Sequence, residues 1–136
     1  MQLINFKSAQ VLPFYYVVQG TLGATVGATI TVNLTTDSAS YFELHQIAGS
    51  SSLDLDTDFM PNNFTLSIIE QSSGRQITGG QIPQRCISGP ANQGVQLRRL
   101  VQFPPNTTFQ FVIVNTIASA NVVDVVLSGF KLFQLT

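Results

Sequence analysis

The sequence alternates apolar and polar residues most regularly over the ten positions Val26-Gly27-Ala28-Thr29-Ile30-Thr31-Val32-Asn33-Leu34-Thr35. Every second residue of this stretch is apolar, which is the period of a strand and not of a helix. Successive side chains of a strand point to opposite faces of its sheet, so the period predicts one apolar inner face and one polar outer face. The β-branched residues in the stretch also favour a strand.

Seven further segments show a similar pattern. It is clear over 64–68, 109–113 and 123–135, and weaker over 14–19, 41–47, 75–78 and 95–101. Gly74 lies in a Ser/Gly-rich stretch that predicts a hairpin loop. Gly129 interrupts the last run, which predicts a bulge or a close approach of another backbone. Because no segment has the 3.6-residue period of a helix, the sequence predicts eight strands and no helix.

The chain of 136 residues has the length of one domain. Short antiparallel strands separated by frequent turns predict an all-β, single-domain antiparallel β-sandwich over 1–136, with 1–10 as a candidate N-terminal arm. Eight strands with longer loops at 49–62 and 84–94 favour a jelly roll. The alternative is an immunoglobulin-type sandwich, which the absence of Trp and of a cysteine pair disfavours.

Charged residues make up only 10% of the chain, and the net charge is −1. Such a surface does not attract phosphate, which argues against a nucleic-acid partner. No apolar run approaches about 18 residues, so we expect no membrane span, and the N-terminal residues lack the pattern of a secretion signal. A polar but uncharged surface does not repel its own copies, which favours a protein of a permanent assembly over a neutral extracellular domain.

Few side chains suggest chemistry. Glu43 and His45 would share one strand face and could form an acid–base pair, although a paired polar face is the simpler interpretation. Cys86 has no histidine near it in the sequence, so we expect a buried structural thiol and not a nucleophile. We therefore expect no enzymatic activity and no cofactor.

The acidic residues Asp54, Asp56 and Asp58 alternate along the chain, so their carboxylates could collect ligands for Ca²⁺. The spacing does not match an EF-hand, because Phe59 and Thr65 occupy the positions that need Gly and Glu. A calcium loop of another kind and a solvated acidic loop both remain open.

Aromatic, apolar and basic residues mark candidate interfaces, since aromatics, Met and Arg are enriched at interface centres. Adjacent aromatics on a strand point to both faces, so they cannot all enter one core. A second core and a sugar-stacking platform are the alternative uses for these rings. The candidate interface residues are Leu3, Ile4, Phe6, Phe14, Tyr15, Tyr16, Phe59, Met60, Arg98 and Arg99.

Three stretches, 62–75, 100–115 and 122–132, together resemble the small jelly-roll decoration, or cement, proteins on the heads of tailed bacteriophages. The first has an aromatic-led strand, a Ser/Gly turn and Arg75. The second contains Pro104-Pro105 before a second aromatic strand, and the third is the closing apolar run. The three stretches make up less than a third of the chain, and no catalytic motif comes with the resemblance.

The resemblance implies a structural virion protein that is made in the host cytoplasm and coats the outer surface of an icosahedral shell. Its partner would be the major capsid protein of an HK97-type shell, whose neighbouring subunits it would bridge as a dimer or trimer. Residues 1–8 could add a strand to a neighbour's sheet edge. The alternative function is a receptor- or carbohydrate-binding module of a virion spike or tail.

Overall fold

The computed structural model describes residues 9–55, 59–88 and 94–134. Its elements are the strands β1 (Ala9–Leu22), β2 (Thr29–Thr35), β3 (Tyr41–Ser51), β4 (Phe64–Glu70), β5 (Ile82–Pro83), β6 (Val95–Phe103), β7 (Thr108–Asn115) and β8 (Asn121–Gln134), with one helix, α1 (Gln84–Ser88), between β5 and β6. The protein is therefore an all-β sandwich, as the sequence predicts.

Two antiparallel four-stranded sheets form the sandwich. The β1 sheet has the order β1-β8-β3-β6, and the β2 sheet has the order β2-β7-β4-β5. Strands pair in a nested way, β1 with β8, β2 with β7, β3 with β6 and β4 with β5. This nesting is compatible with a jelly roll and differs from the ABED and CFG sheets of an immunoglobulin domain.

The core lies between the sheets, where the apolar members of the period-two runs meet. Five fully buried phenylalanines dominate it: Phe42, Phe64, Phe103, Phe109 and Phe111. The alternating burial of β7 follows the sequence pattern residue by residue. Its partners Ile30, Val32 and Leu34 on β2 pack against the same core and are only partly buried, since β2 is an edge strand.

The predicted strand at 75–78 is wrong. Only an isolated bridge joins Gln76 to Ile69 in this segment. The strand that pairs with β4 at this edge is instead the two-residue β5. The Ile77 N–H still donates to Ile68, but the Ile68 N–H donates to the hydroxyl of Thr78 instead of to a main-chain carbonyl. The ladder ends there, and Gly80, with a φ of 127°, redirects the chain.

Two further predictions need correction. The prediction of no helix misses α1, because five residues are too few to show a helical period. The candidate arm at 1–10 is too long, because Ala9 and Gln10 already pair with β8; residues 1–8 lie outside the described part.

Gly129 has the role that the sequence predicts. The register between β3 and β8 shifts between Leu44 and Gln46, which places a bulge at His45. A Cβ atom on Gly129 would overlap the carbonyl group of Glu43 on the neighbouring strand. Only glycine therefore allows β8 to run past the bulge at this spacing.

The core makes a direct prediction. Phe111→Ala should lower the free energy of unfolding by about 3–5 kcal/mol, because it removes a fully buried ring and leaves a cavity. Urea denaturation measures this change. Phe59→Ala is the matched control, since Phe59 is exposed, and it should change the stability by less than about 0.5 kcal/mol. Equal effects of the two variants would contradict this assignment of the core.

Candidate functional site

Three connections lie together at one end of the sandwich: 23–28 between β1 and β2, 52–63 between β3 and β4, and 116–120 between β7 and β8. Strand pairing brings them together, because Leu22 pairs with Asn121, Ser51 with Val123 and Phe64 with Asn115. We call this surface the loop end. Its residues 56–58 lie outside the described part.

The loop end exposes large apolar side chains. Phe59 is 70% exposed and Met60 is 50% exposed, and the other members are Val26, Leu55 and Ile117. Single exposed apolar residues are common, but several on one surface indicate an interaction site. In the sequence, the only charged residues of the three connections are Asp54, Asp56 and Asp58, and the structure describes Asp54 alone among them.

A buried group of polar side chains lies beneath the loop end. Asn121 is fully buried, and its amide nitrogen donates to the Asn63 carbonyl at 3.0 Å and to Asn115 Oδ1 at 3.4 Å. Its amide oxygen accepts a hydrogen bond from the Ser51 hydroxyl. The Asn115 amide nitrogen donates to the carbonyls of Gly23 and Ser119, both at 2.9 Å. These bonds tie all three connections together.

Gln84 and Asp54 extend this group toward α1. The fully buried Gln84 side chain donates to both carboxylate oxygens of Asp54, at 3.1 and 3.0 Å, and accepts the Asn63 N–H at 2.7 Å. Asp54 also accepts the Asn63 amide at 2.7 Å and the Ser51 N–H at 2.9 Å. We call Ser51, Asp54, Asn63, Gln84, Asn115 and Asn121 the amide network.

Asp54 belongs both to the amide network and to the candidate calcium loop. Both carboxylate oxygens of Asp54 already accept hydrogen bonds, so a cation at Asp54 would have to displace those donors. Asp56 and Asp58 lie outside the described residues. Within the described ranges, no three His, Cys, Asp or Glu side chains are grouped so that they could hold a metal ion.

The candidate interface residues of β1 divide between its two faces. Phe14 and Tyr16 pack against the core, where the Tyr16 ring meets Phe42 edge-on with a centroid distance of 4.8 Å. Lys131 covers the Phe14 ring, with Nζ 3.7 Å from its centroid. These two rings thus pack within their own domain. Tyr15 faces outward and is 65% exposed.

The remaining candidates have different positions. Phe59 and Met60 are at the loop end. Arg98 and Arg99 belong to β6, an edge strand of the β1 sheet, and their side chains lie outside the described part. Leu3, Ile4 and Phe6 also lie outside it, so their interface role stays a prediction.

Glu43 and His45 do come together, with His45 Nε2 2.7 Å from Glu43 Oε1. The bulge puts His45 beside Glu43 on the outer face of the β1 sheet, where the imidazole also packs edge-on against Phe130 at 4.9 Å. The structure thus brings together the two side chains that the sequence places on one strand face.

Cys86 is exposed, which contradicts the expectation of a buried thiol. It lies on α1, whose turn directs Ile87 into the core and Cys86 outward. The thiol borders a cavity of about 380 Å³ whose apolar lining includes Ile47, Ile82 and Leu97. Its lining comes from β3 and β6 of one sheet and from β5, α1 and residues 77–79 on the other side.

Sequence reasoning missed most of the amide network. A weak signal was present, because Asn115 and Asn121 lie directly at the ends of two apolar runs, where a strand gives way to a loop. An asparagine there can satisfy main-chain groups that the ladder no longer pairs.

No protein-family model matches the chain. No curated protein matches it either. No helix in the described residues is long and apolar enough to cross a membrane.

Removing the centre of the network should destabilise the protein. Asn121→Ala removes a hydrogen-bond partner from the Ser51 hydroxyl and from the Asn63 carbonyl. Each buried group that loses its partner should lower the free energy of unfolding by about 1–3 kcal/mol. Urea denaturation gives the loss, and hydrogen exchange should show faster opening of 23–28 and 116–120. Asn33→Ala, at an exposed position on β2, is the matched control. A loss for Asn121→Ala no greater than the control's would contradict the role of the network.

Asp37 predicts a pH dependence. The Ala39 N–H donates to its carboxylate at 3.0 Å, and Lys131 Nζ lies 3.1 Å away; together, in that order of importance, they lower the pKa of Asp37. A lowered pKa stabilises the fold above the usual aspartate value of about 3.9, and this contribution disappears as the pH falls through the lowered pKa.

Asp37→Asn should therefore cost stability at pH 7 and progressively less as the pH approaches 3. Urea denaturation gives the free energy of unfolding of wild type, Asp37→Asn, Lys131→Met and the double variant. The four values give the stability lost in each variant and the coupling energy between Asp37 and Lys131. A coupling that is the same at pH 7 and pH 3 would be inconsistent with ionisation of Asp37 as its source.

Proposed function

We propose that this protein is a structural virion component that decorates and cements the outer surface of an icosahedral phage capsid by bridging major capsid protein subunits. The observation that carries the proposal is the loop end, where apolar side chains are exposed above a buried amide network. The low content of charged residues, 10% of the chain, supports the same role.

A docking surface gains affinity when it is ordered before binding. The connections at the loop end are tied by hydrogen bonds such as those from Asn115 to Gly23 and Ser119, so little conformational entropy remains to be lost on binding. Exposed Phe59 and Met60 can then enter apolar depressions of a partner.

Cementing requires many copies and no chemical step. Each copy that bridges two coat subunits buries surface from both, and this surface must be exposed again before the subunits separate. Contacts that are individually modest but repeat over a whole shell add up to a large total resistance to separation of the coat subunits. The proposal involves no cofactor and no nucleic acid.

A receptor- or carbohydrate-binding module of a spike or tail is the second candidate. One observation favours it, since Phe59 protrudes from the connection between β3 and β4, as an aromatic ring that stacks on a sugar would. Such a module would be present in few copies per particle and would be stabilised by its sugar.

The copy number tests the proposal. A lysate that produces this protein is separated on a sedimentation gradient, and the 14.7 kDa chain is quantified against the coat protein in each fraction. We expect it with intact heads, at numbers comparable to the coat protein. A few copies per particle would favour the spike or tail module, and recovery only as a free species would refute the virion role.

Substitutions at the loop end test the docking surface itself. Phe59→Asp should lower the amount of protein that rebinds to stripped heads by at least tenfold, because it places a charge in an apolar contact. Ser72→Asp is the matched control, since Ser72 is exposed in the turn after β4 at the opposite end. Equal binding of both variants would exclude the loop end as the docking surface.

A further inference from the structure

The free side of β1 is the longest open strand edge among the described residues. β1 pairs with β8 over its full 14 residues, and no described strand lies on its other side. A strand in this position presents a row of main-chain N–H and C=O groups that a further strand can pair with.

Natural proteins usually protect such an edge by charged residues, by bulges or by a short strand. β1 has no charged residue, and its register with β8 is unbroken. Its one protective feature is Pro13, which cannot donate to a neighbouring strand. The residues after Pro13 therefore form an edge that is open to pairing.

The other three edge strands differ from β1. β5 has two residues, and β6 carries Arg98 and Arg99. β2 is uncharged but half as long, and its exposed side chains are Thr29, Thr31, Asn33 and Thr35. Only β1 combines length and the absence of charge with exposed apolar side chains.

Those side chains lie on the outer face of β1. Phe14 and Tyr16 face the core, so the alternating residues Val11, Tyr15 and Val17 face outward, and they are 51%, 65% and 59% exposed. Val17 is opposite Val126 on β8, which continues the apolar surface onto the next strand. A partner must therefore provide main-chain groups, apolar side chains and no unpaired charge.

We propose that this edge binds the same edge of a second copy, so that two β1 strands pair antiparallel and join the two β1 sheets into one continuous eight-stranded sheet. Two identical strands paired in this way are related by a two-fold axis, so each contact occurs twice. A second β1 strand provides what this edge requires of a partner: main-chain groups, apolar side chains and no charge. The pairing leaves the loop end of both copies free.

The mass in solution tests this proposal. We expect light scattering to give twice the 14.7 kDa of one chain for the wild-type protein at micromolar concentration. Val17→Lys should raise the dimer dissociation constant at least tenfold, because it places a charge among the exposed apolar side chains of each paired strand. Tyr15→Lys is the second variant, and circular dichroism verifies that each variant keeps its β-sheet spectrum.

Val26→Lys is the matched control, because Val26 is 62% exposed but lies at the loop end. It should leave the dimer intact. A wild-type protein that is monomeric, or a dimer that survives both β1 substitutions, would overturn the proposal. Loss of the dimer in Val26→Lys alone would also overturn it, since the loop end would then be the contact between copies.

Discussion

The fully buried side chain of Asn121 forms hydrogen bonds with main-chain and side-chain groups that are themselves buried. Its amide contacts Ser51, Asn63 and Asn115, which come from three different strands or connections. A hydrogen bond between buried groups adds modestly to the free energy of unfolding, but a buried group left without its partner lowers that free energy by more. Asn121 holds the 52–63 connection directly, and its contact with Asn115 links it to the side chain that holds the other two connections.

Two surfaces of different character follow from the arrangement. The loop end presents apolar side chains on connections that the amide network fixes, which suits docking onto a separate protein. The free edge of β1 presents main-chain groups in a regular row, which suits pairing with another strand. The two surfaces do not overlap. Because β1 ends at the loop end, an antiparallel pair would place the two loop ends at opposite ends of the dimer, where each could contact a different partner.

The sequence predicted the sheet structure well and the site poorly, for physical reasons. Period-two burial is a local property, so it identified β2, β4, β7 and β8 from the chain alone. The strand at 75–78 failed because a hydroxyl, that of Thr78, replaces the carbonyl that a ladder would use. The amide network joins residues as far apart as Ser51 and Asn121, and no local pattern encodes such a pairing.

We propose that this protein docks on a capsid through the loop end. Hydrogen exchange of head-bound protein, compared with free protein at equal concentration, tests it most directly. We predict added protection in 23–28, 52–63 and 116–120 on binding, with little change in β4 or in the turn after it. Protection confined to the outer face of the β2 sheet, with none at the loop end, would contradict the account.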